Sequence, residues 1–552
     1  MGAAQNSRPS LLGFPLAVIA ATAFSVIVPF FWLGIASGHD FEFHFNSWLE
    51  VVQHWKEGVI YPHWAAFAHY DYGEARFIFY PPLSWALGAV LGLILPWKLV
   101  SGADLCITLT LCGVSMFLLA RRWLSRNDAL LAAVAYTASP YLLVIVYWRS
   151  DMAELLAAAY LPLLVLCALR LEREGSRAIA PLSLLLAAGW LTNVPTSIIT
   201  NYTFAFLVLC LAFLRRSRAI VAHASIAMIL GVTLAAFYIL PVLHQQHWVN
   251  IGQVLAPGVR PADNFLFTVT SDPDHNQFNR LASVVAVWEI SMVALLVFFS
   301  LRSPARMLWQ AMLALDVLCT LLMMKFTLPL WMHLPELRYV QFPWRWLLCL
   351  SVVFALGSVM AARQWWLRTI VLLVAIGSVV YVWQRVLPPW WDTSADIQEM
   401  IDNQQDAIGN EGTDEYVPIG VDPYDVDQKA PQVRFQGSGT AQIQIEKWQS
   451  EKRILLAGAT SPGKLVFRLF NYPLWKVEVN GNLVHTESTP KTGQMIVPIS
   501  RGESRVQIRF VEGWDRLVGA AISLLGLLAI VLTWYSTRAR IQHESQELTA
   551  KC

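Results

Sequence analysis

Long apolar runs recur along this chain, at residues 11–35, 101–120, 130–147, 152–169, 219–240, 281–301, 307–324, 346–361, 367–384 and 517–535, and one at 181–214 has room to go out and back. Runs of this kind suit helices crossing the roughly 30 Å apolar core of a bilayer. Arginines punctuate them: Arg8 before the first, then clusters at Arg121, Arg122 and Arg126, at Arg170, Arg173 and Arg177, at Arg215, Arg216 and Arg218, at Arg302 and Arg306, at Arg363 and Arg368, and at Arg538 and Arg540. With every cluster on the cytoplasmic side, the positive-inside rule gives about twelve crossings and two cytoplasmic termini. An even number must separate Arg8 from Arg121, so one run in between does not cross; the Pro-flanked run at 83–97 is the shortest and is expected to be re-entrant or peripheral.

Past residue 429 the period of the pattern falls to two. VRFQG, AQIQIEKW, RILLAG, KLVFRLF, WKVEVNG, MIVPIS and RVQIRF alternate apolar and polar positions and are parted by turn residues such as Ser461-Pro462-Gly463 and Asn480-Gly481. Seven short strands predict a small β-sandwich. The expected fold is therefore a polytopic α-helical membrane protein with a C-terminal extracytoplasmic β-sandwich. Its parts are a transmembrane domain at 1–384 with a first loop at 36–82, an acidic linker at 385–429, the sandwich at 430–512, a last helix at 515–536 and a cytoplasmic tail at 537–552.

Composition narrows the class. With 552 residues, 56% hydrophobic, 14% charged and 24 Trp, the chain carries more apolar sequence than a soluble core needs. A net charge of +2, with basic residues dispersed, offers nothing to nucleic acid. Six of the seven cysteines lie in apolar segments and Cys552 is at the tail, so neither a disulfide framework nor a CxxC metal signature is present. The run at 11–35 is too long for a signal-peptide core and is expected to be a retained span.

On this topology the unusual polar residues collect on the outer face. The first loop opens His39-Asp40-Phe41-Glu42-Phe43-His44-Phe45, whose alternation predicts an extended segment with Asp40, Glu42 and His44 on one face. Ser47 with Glu50 reads as a capping box, and residues 46–56 as an amphipathic helix on the membrane surface with Trp48 and Trp55 at headgroup level. An acid at the outer end of a first span suggests a site: Asp40 is able to take a proton from an acceptor hydroxyl or to hold a divalent cation. The five histidines of the loop share no metal-ligand spacing. Arg149, Asp151 and Glu154 flank the start of another span, the two acids at i, i+3 on one helical face; they form either part of a site or local ion pairs. Arg338 and Arg345, set among aromatics at 337–346, suit a lipid phosphate or the snorkelling arginines of an aromatic belt.

Several short motifs, in order, carry a resemblance. Gly38-His39-Asp40, Tyr61-Pro62-His63-Trp64, Phe79-Tyr80-Pro81-Pro82-Leu83, Tyr147-Trp148-Arg149-Ser150-Asp151-Met152-Ala153-Glu154, Gln341-Phe342-Pro343-Trp344-Arg345, Glu415-Tyr416-Val417-Pro418 and Tyr472-Pro473-Leu474-Trp475 resemble the bacterial membrane family labelled "6-pyruvoyl-tetrahydropterin synthase related" and, more distantly, the GT-C glycosyltransferases. The label implies no pterin chemistry, since nothing in the chain looks like the soluble synthase's zinc site. What the GT-C resemblance implies is residence in the bacterial inner membrane, a polyprenyl-phosphate-linked sugar donor, and a glycan, lipid or protein acceptor. It also implies inversion at the sugar, with Asp40 as base, Glu42 in support, and His44, Arg149, Asp151, Glu154, Arg338 and Arg345 as substrate- or phosphate-binding candidates. No cofactor is implied, although a divalent cation fits the carboxylates. A transporter or flippase for lipid-linked sugars, or a scaffold in envelope polysaccharide assembly, is the alternative; Asp316 inside a span is the residue that favours it.

Overall fold

The computed structural model describes residues 13–300, 306–385 and 391–550; Arg8, Arg302 and the 386–390 beginning of the acidic stretch lie outside them. Among the described residues nine helices are long and apolar enough to cross a membrane, or eleven when the bent pairs Arg218–Leu234 with Ala236–Trp248 and Trp309–Leu322 with Lys325–His333 each count as one crossing. The difference from about twelve lies in counting Met152–Trp190 once; within it the helix ending at Glu174 is broken by Gly175, at φ 55° and ψ −123°, and by the 3-10 turn Gly175–Ala178, at the arginines of 170–177 where a turn between two crossings is expected. Pro82–Ile94 is a 13-residue helix, about 20 Å long and so too short to span.

The first loop differs from its sequence reading. Phe41–Lys56 is a 16-residue helix, so the period-two alternation at its start is not a strand. A helix satisfies the same pattern because it is buried on most sides. Phe41 and Phe45 are both fully buried, and Phe43 packs on the Tyr80 ring, centroids 4.6 Å apart. Nor does Trp48 stand at headgroup level. Trp48 is fully buried over Gly88, where an added Cβ would fall 2.1 Å from the indole; only glycine lets the two helices approach this closely. Ser47 is not a cap either: its hydroxyl donates back to the Phe43 carbonyl at 2.6 Å, inside the helix.

The acidic stretch is folded onto this loop. Ile35–Ala36 (β1) at the end of the first span pairs antiparallel with Trp391–Asp392 (β2). The Ser394–Gln405 helix follows, opened by a capping box of Thr393 and Asp396. Asn410 then donates its backbone N–H to the Phe67 carbonyl of the loop and accepts from the Tyr70 amide, and the Val417 carbonyl accepts from Asn250.

Nine strands complete the C-terminal domain: β3 (Val433–Gly437), β4 (Ala441–Trp448), β5 (Lys452–Ala459), β6 (Gly463–Phe470), β7 (Trp475–Val479), β8 (Asn482–Val484), β9 (Glu487–Ser488), β10 (Gln494–Ile499) and β11 (Gly502–Phe510). They form two antiparallel sheets ordered β3-β6-β10-β9 and β4-β5-β11-β7-β8. Leu455, Ala457, Val506 and Ile508 of one sheet share a core with Leu465, Phe467, Met495 and Val497 of the other, which makes the pair a sandwich. The same core takes in Trp64, Tyr72 and Ala75, so the first loop plugs the sandwich onto the membrane domain.

Candidate active site

Asp40 stands just before the Phe41–Lys56 helix, and its position is fixed from across the molecule. The Gly38 amide donates to Ser150 Oγ at 3.0 Å, His39 N–H to the Trp148 carbonyl and Asp40 N–H to the Arg149 carbonyl. The facing segment is itself shaped for this: Ile145–Arg149 form a π-helical turn, and Ser150 is left-handed at φ 50°, which ends the span and turns Arg149 towards Asp40. Contact is tight enough that a Cβ on Gly38 would sit 2.5 Å from Ser150 Oγ and 2.7 Å from the Arg149 carbonyl carbon.

Here the structure brings together acids and arginines from three distant stretches. Arg149 donates to Asp40 Oδ2 at 2.6 Å and to Asp151 Oδ2 at 3.3 Å. Arg345 donates to the same Asp151 oxygen at 3.1 Å and to Glu154 Oε2 at 2.8 Å, while Tyr141 donates to Glu154 Oε1 at 2.6 Å. Asp151 also caps the next helix by accepting from the Glu154 amide at 2.8 Å. His44 Nε2 lies 3.6 Å from Asp151 Oδ1. Phe342 lies between the two guanidiniums, 4.9 Å from that of Arg149 and 4.8 Å from that of Arg345.

Burial sorts these groups. Side chains of His44, Arg149, Asp151, Glu154 and Arg345 are at most 5% exposed, whereas Asp40 is 33% exposed. Burial raises the pKa of Asp151, but the His44 imidazole and the guanidiniums of Arg345 and Arg149 outweigh it and hold the carboxyl below its ordinary range. Three acids facing two arginines make a nearly neutral cluster, and the acid at its mouth is the one open to a substrate.

The other predicted residues fall elsewhere. Glu42 is exposed and points away from this cluster, because two helical positions past Asp40 is nearly the opposite face. Arg345 has Nε and both terminal nitrogens engaged, the last bonds going to the Val340 carbonyl at 3.0 Å and Gln341 Oε1 at 3.4 Å, so it holds acids and leaves no donor plainly free for a phosphate. Arg338 is exposed, its guanidinium 4.8 Å from the Tyr339 ring. Tyr141 and Phe342 also belong to the cluster; Tyr141 sits in an apolar run that reads as core, and Phe342 in the aromatic 337–346 stretch, where attention falls on the arginines.

Behind the site a second buried network braces the loop. Glu50 accepts from the Ala66 amide at 2.5 Å and the Phe67 amide at 3.2 Å, and burial, only partly offset by Arg76, pushes its carboxyl up to about 8. Glu74 accepts from Arg76 at 2.6 Å and from the Thr413 amide at 2.7 Å and pairs with His69 at 2.9 Å. Burial raises its pKa, yet Arg76 and His69 prevail and bring it to about 2. Among the described residues no group of three or more His, Cys, Asp or Glu is arranged to hold a metal ion.

Fold and site together define a polytopic membrane protein with an acid–arginine cluster where the first loop meets the spans. The chain belongs to the 6-pyruvoyl-tetrahydropterin synthase related family of membrane proteins, whose model matches residues 77–388. That stretch includes Arg149, Asp151, Glu154, Arg338 and Arg345 but not Asp40. No curated protein matches the chain. Among solved structures it is similar to the arabinofuranosyltransferase AftD from Mycobacteria, at 16% identity over 69% of this chain and 27% of that one, TM-score 0.43. It is similar also to the Archaeoglobus fulgidus oligosaccharyltransferase in the apo form, at 15% over 68% and 56%, TM-score 0.34. A third is ArnT from Cupriavidus metallidurans bound to undecaprenyl phosphate, at 13% over 65% and 79%, TM-score 0.29. The chain thus spans about a quarter of the length of the first of these.

Proposed function

We propose that this protein is an inverting membrane glycosyltransferase of the GT-C type, moving a sugar from a polyprenyl-phosphate carrier to an acceptor hydroxyl on the extracytoplasmic face. The observation that carries the reading is Asp40. Arg149 fixes one carboxylate oxygen at 2.6 Å, the side chain is one-third exposed, and its neighbouring acids are sealed behind two arginines. A base needs this combination of defined orientation, negative charge and access.

In the proposed reaction the acceptor hydroxyl gives its proton to the free oxygen of Asp40 as its own oxygen attacks the anomeric carbon. The carbon–oxygen bond to the polyprenyl phosphate breaks with its electrons, and the phosphate leaves as an anion that needs little protonation. Positive charge near the leaving group assists, and Arg338, exposed on the segment that also carries Arg345, is the candidate for it. Arg149 and Arg345 act as positioning residues that hold the three acids apart. The acceptor is a glycan, a lipid or a protein.

The test is to incubate the purified protein with a panel of short-chain polyprenyl-phosphate sugars and to determine by NMR the anomeric configuration of the newly formed glycoside. A configuration opposite to the donor's supports the reading; retention refutes a single displacement at Asp40. The carrier or scaffold reading draws on Glu289 and Asp316, carboxylates buried within spans. Saturable donor binding without turnover across the whole panel would favour it.

A further inference from the structure

We infer that the protein carries a second binding site, for a short neutral oligosaccharide, in the cavity between the Phe41–Lys56 helix, the Ser394–Gln405 helix and the β4–β5 end of the sandwich. The cavity holds about 430 Å3, within the range of small-molecule sites. Its lining is chemically unusual: Gln53, Gln404, Gln405, Gln432 and Gln449 all face it. Gln53 bonds Glu57 at 2.8 Å. Among the described residues the other four amides have no hydrogen-bond partner within the protein, and three of them are half-buried. An amide both donates and accepts, as a sugar hydroxyl does, so four unengaged amides around one cavity match a polyol and offer little to an ion.

Two further features point the same way. Trp97 and Trp448 form apolar walls, flat surfaces of the kind on which the C–H face of a pyranose or furanose ring packs. Asp71 and Arg453 line the cavity at 2% and 1% exposure, and Asp71 Oδ2 and Arg453 Nε are buried without a hydrogen-bond partner. Each attracts the other, yet no salt bridge joins them; burial, only partly offset by Arg453 and Arg468, lifts the Asp71 carboxyl to about 6. A hydroxyl group accepts from a guanidinium and donates to a carboxylate at once, which a single charge of either sign does not.

The cavity is distinct from the Asp40 cluster. Leu49, Val52, Gln53 and Lys56 line it at i, i+3, i+4 and i+7, one stripe of the helix. At 100° per residue that stripe lies opposite the face carrying Asp40 and His44, and roughly 13 to 20 Å further along the axis. The site therefore retains a glycan beside the reaction centre, its own binding being independent of the glycosyltransferase reading; only the service it gives to transfer rests on that reading.

The experiment titrates full-length protein in nanodiscs, without donor, with maltotetraose, α-1,6-mannotetraose and α-1,5-arabinotetraose, read by saturation-transfer NMR and tryptophan fluorescence. Saturable binding of at least one is expected. It should weaken about tenfold or more in Trp448→Ala and in the double variant Gln432→Ala/Gln449→Ala; the two glutamines reach solvent and hold no other side chain, so the double variant leaves the fold intact. Asp40→Asn should bind as the wild type does. No saturable binding of any of the three, affinity unchanged in both cavity variants, or binding lost in Asp40→Asn would each overturn the proposal.

Discussion

Arg345 offers the sharpest test of how the cluster is held. Its guanidinium donates to Glu154 at 2.8 Å, to Asp151 at 3.1 Å and to the Val340 carbonyl at 3.0 Å, all at 4% exposure. In Arg345→Met, Asp151 keeps Arg149 and His44, but fully buried Glu154 keeps only the Tyr141 hydroxyl. Removing one partner of a buried pair costs about 3–5 kcal/mol, most of it the penalty of the stranded charge. Neutralising that charge should recover much of the loss, so Arg345→Met/Glu154→Gln should be more stable than the sum of its parts by about 2 kcal/mol. Arg149→Met should cost less, about 1–2 kcal/mol, because Asp40 reaches solvent and Asp151 retains Arg345. The assay is reversible unfolding in detergent for the four members of the cycle and Arg149→Met. A cost below about 1 kcal/mol for Arg345→Met, or simple additivity in the cycle, would refute the reasoning.

Further predictions follow from the same contacts. Gly38→Ala should leave a folded protein whose transfer rate falls at least about tenfold, since its Cβ, 2.5 Å from Ser150 Oγ, pushes Asp40 off its Arg149 partner; turnover beside a thermal melt checks this. Glu42→Gln, on the exposed face, should change turnover less than about threefold, against a loss of about 100-fold or more for Asp40→Asn. Burial lowers the His63 pKa, but Glu451 and Glu512 outweigh it and raise it to about 9. A raised pKa stabilises the fold fully below pH 6.5 and less as pH climbs towards 9, so the docking of loop to sandwich should loosen over that window, read by hydrogen exchange at residues 61–66. Glu74 has the opposite sign: its depressed pKa gives stability that is present above pH 4.5 and lost as pH falls towards 2, a limb of the pH–stability curve that Glu74→Gln should flatten.

Much of the architecture is legible because it rests on local pattern. Each of the seven period-two segments forms a strand, and the two strands not anticipated, β8 and β9, are three and two residues long, too short to show a period. The first loop misleads for a physical reason: aromatic residues at alternate positions suit a strand with one buried face or a helix buried nearly all round, and periodicity does not separate the two. Composition likewise marks residues 385–429 as an acidic linker, whereas within it Thr413 bonds Glu74 and Asn410 donates to Phe67, more than 330 residues back in the chain. At the site, residue type and membrane side single out Asp40, Arg149, Asp151, Glu154 and Arg345. Which arginine holds which acid depends on a π-helical turn and a left-handed serine that no motif announces.

The central claim is that Asp40 is the reacting carboxylate and the buried acids its supports. The measurement that reaches it most directly is transfer from a short-chain polyprenyl-phosphate sugar by purified wild type and Asp40→Asn, with donor affinity and melting temperature recorded on the same preparations. The account predicts turnover lowered by about two to four orders of magnitude in the variant, with donor affinity and melting temperature close to wild type. Turnover within about threefold of wild type would contradict it and move the chemistry away from the first loop.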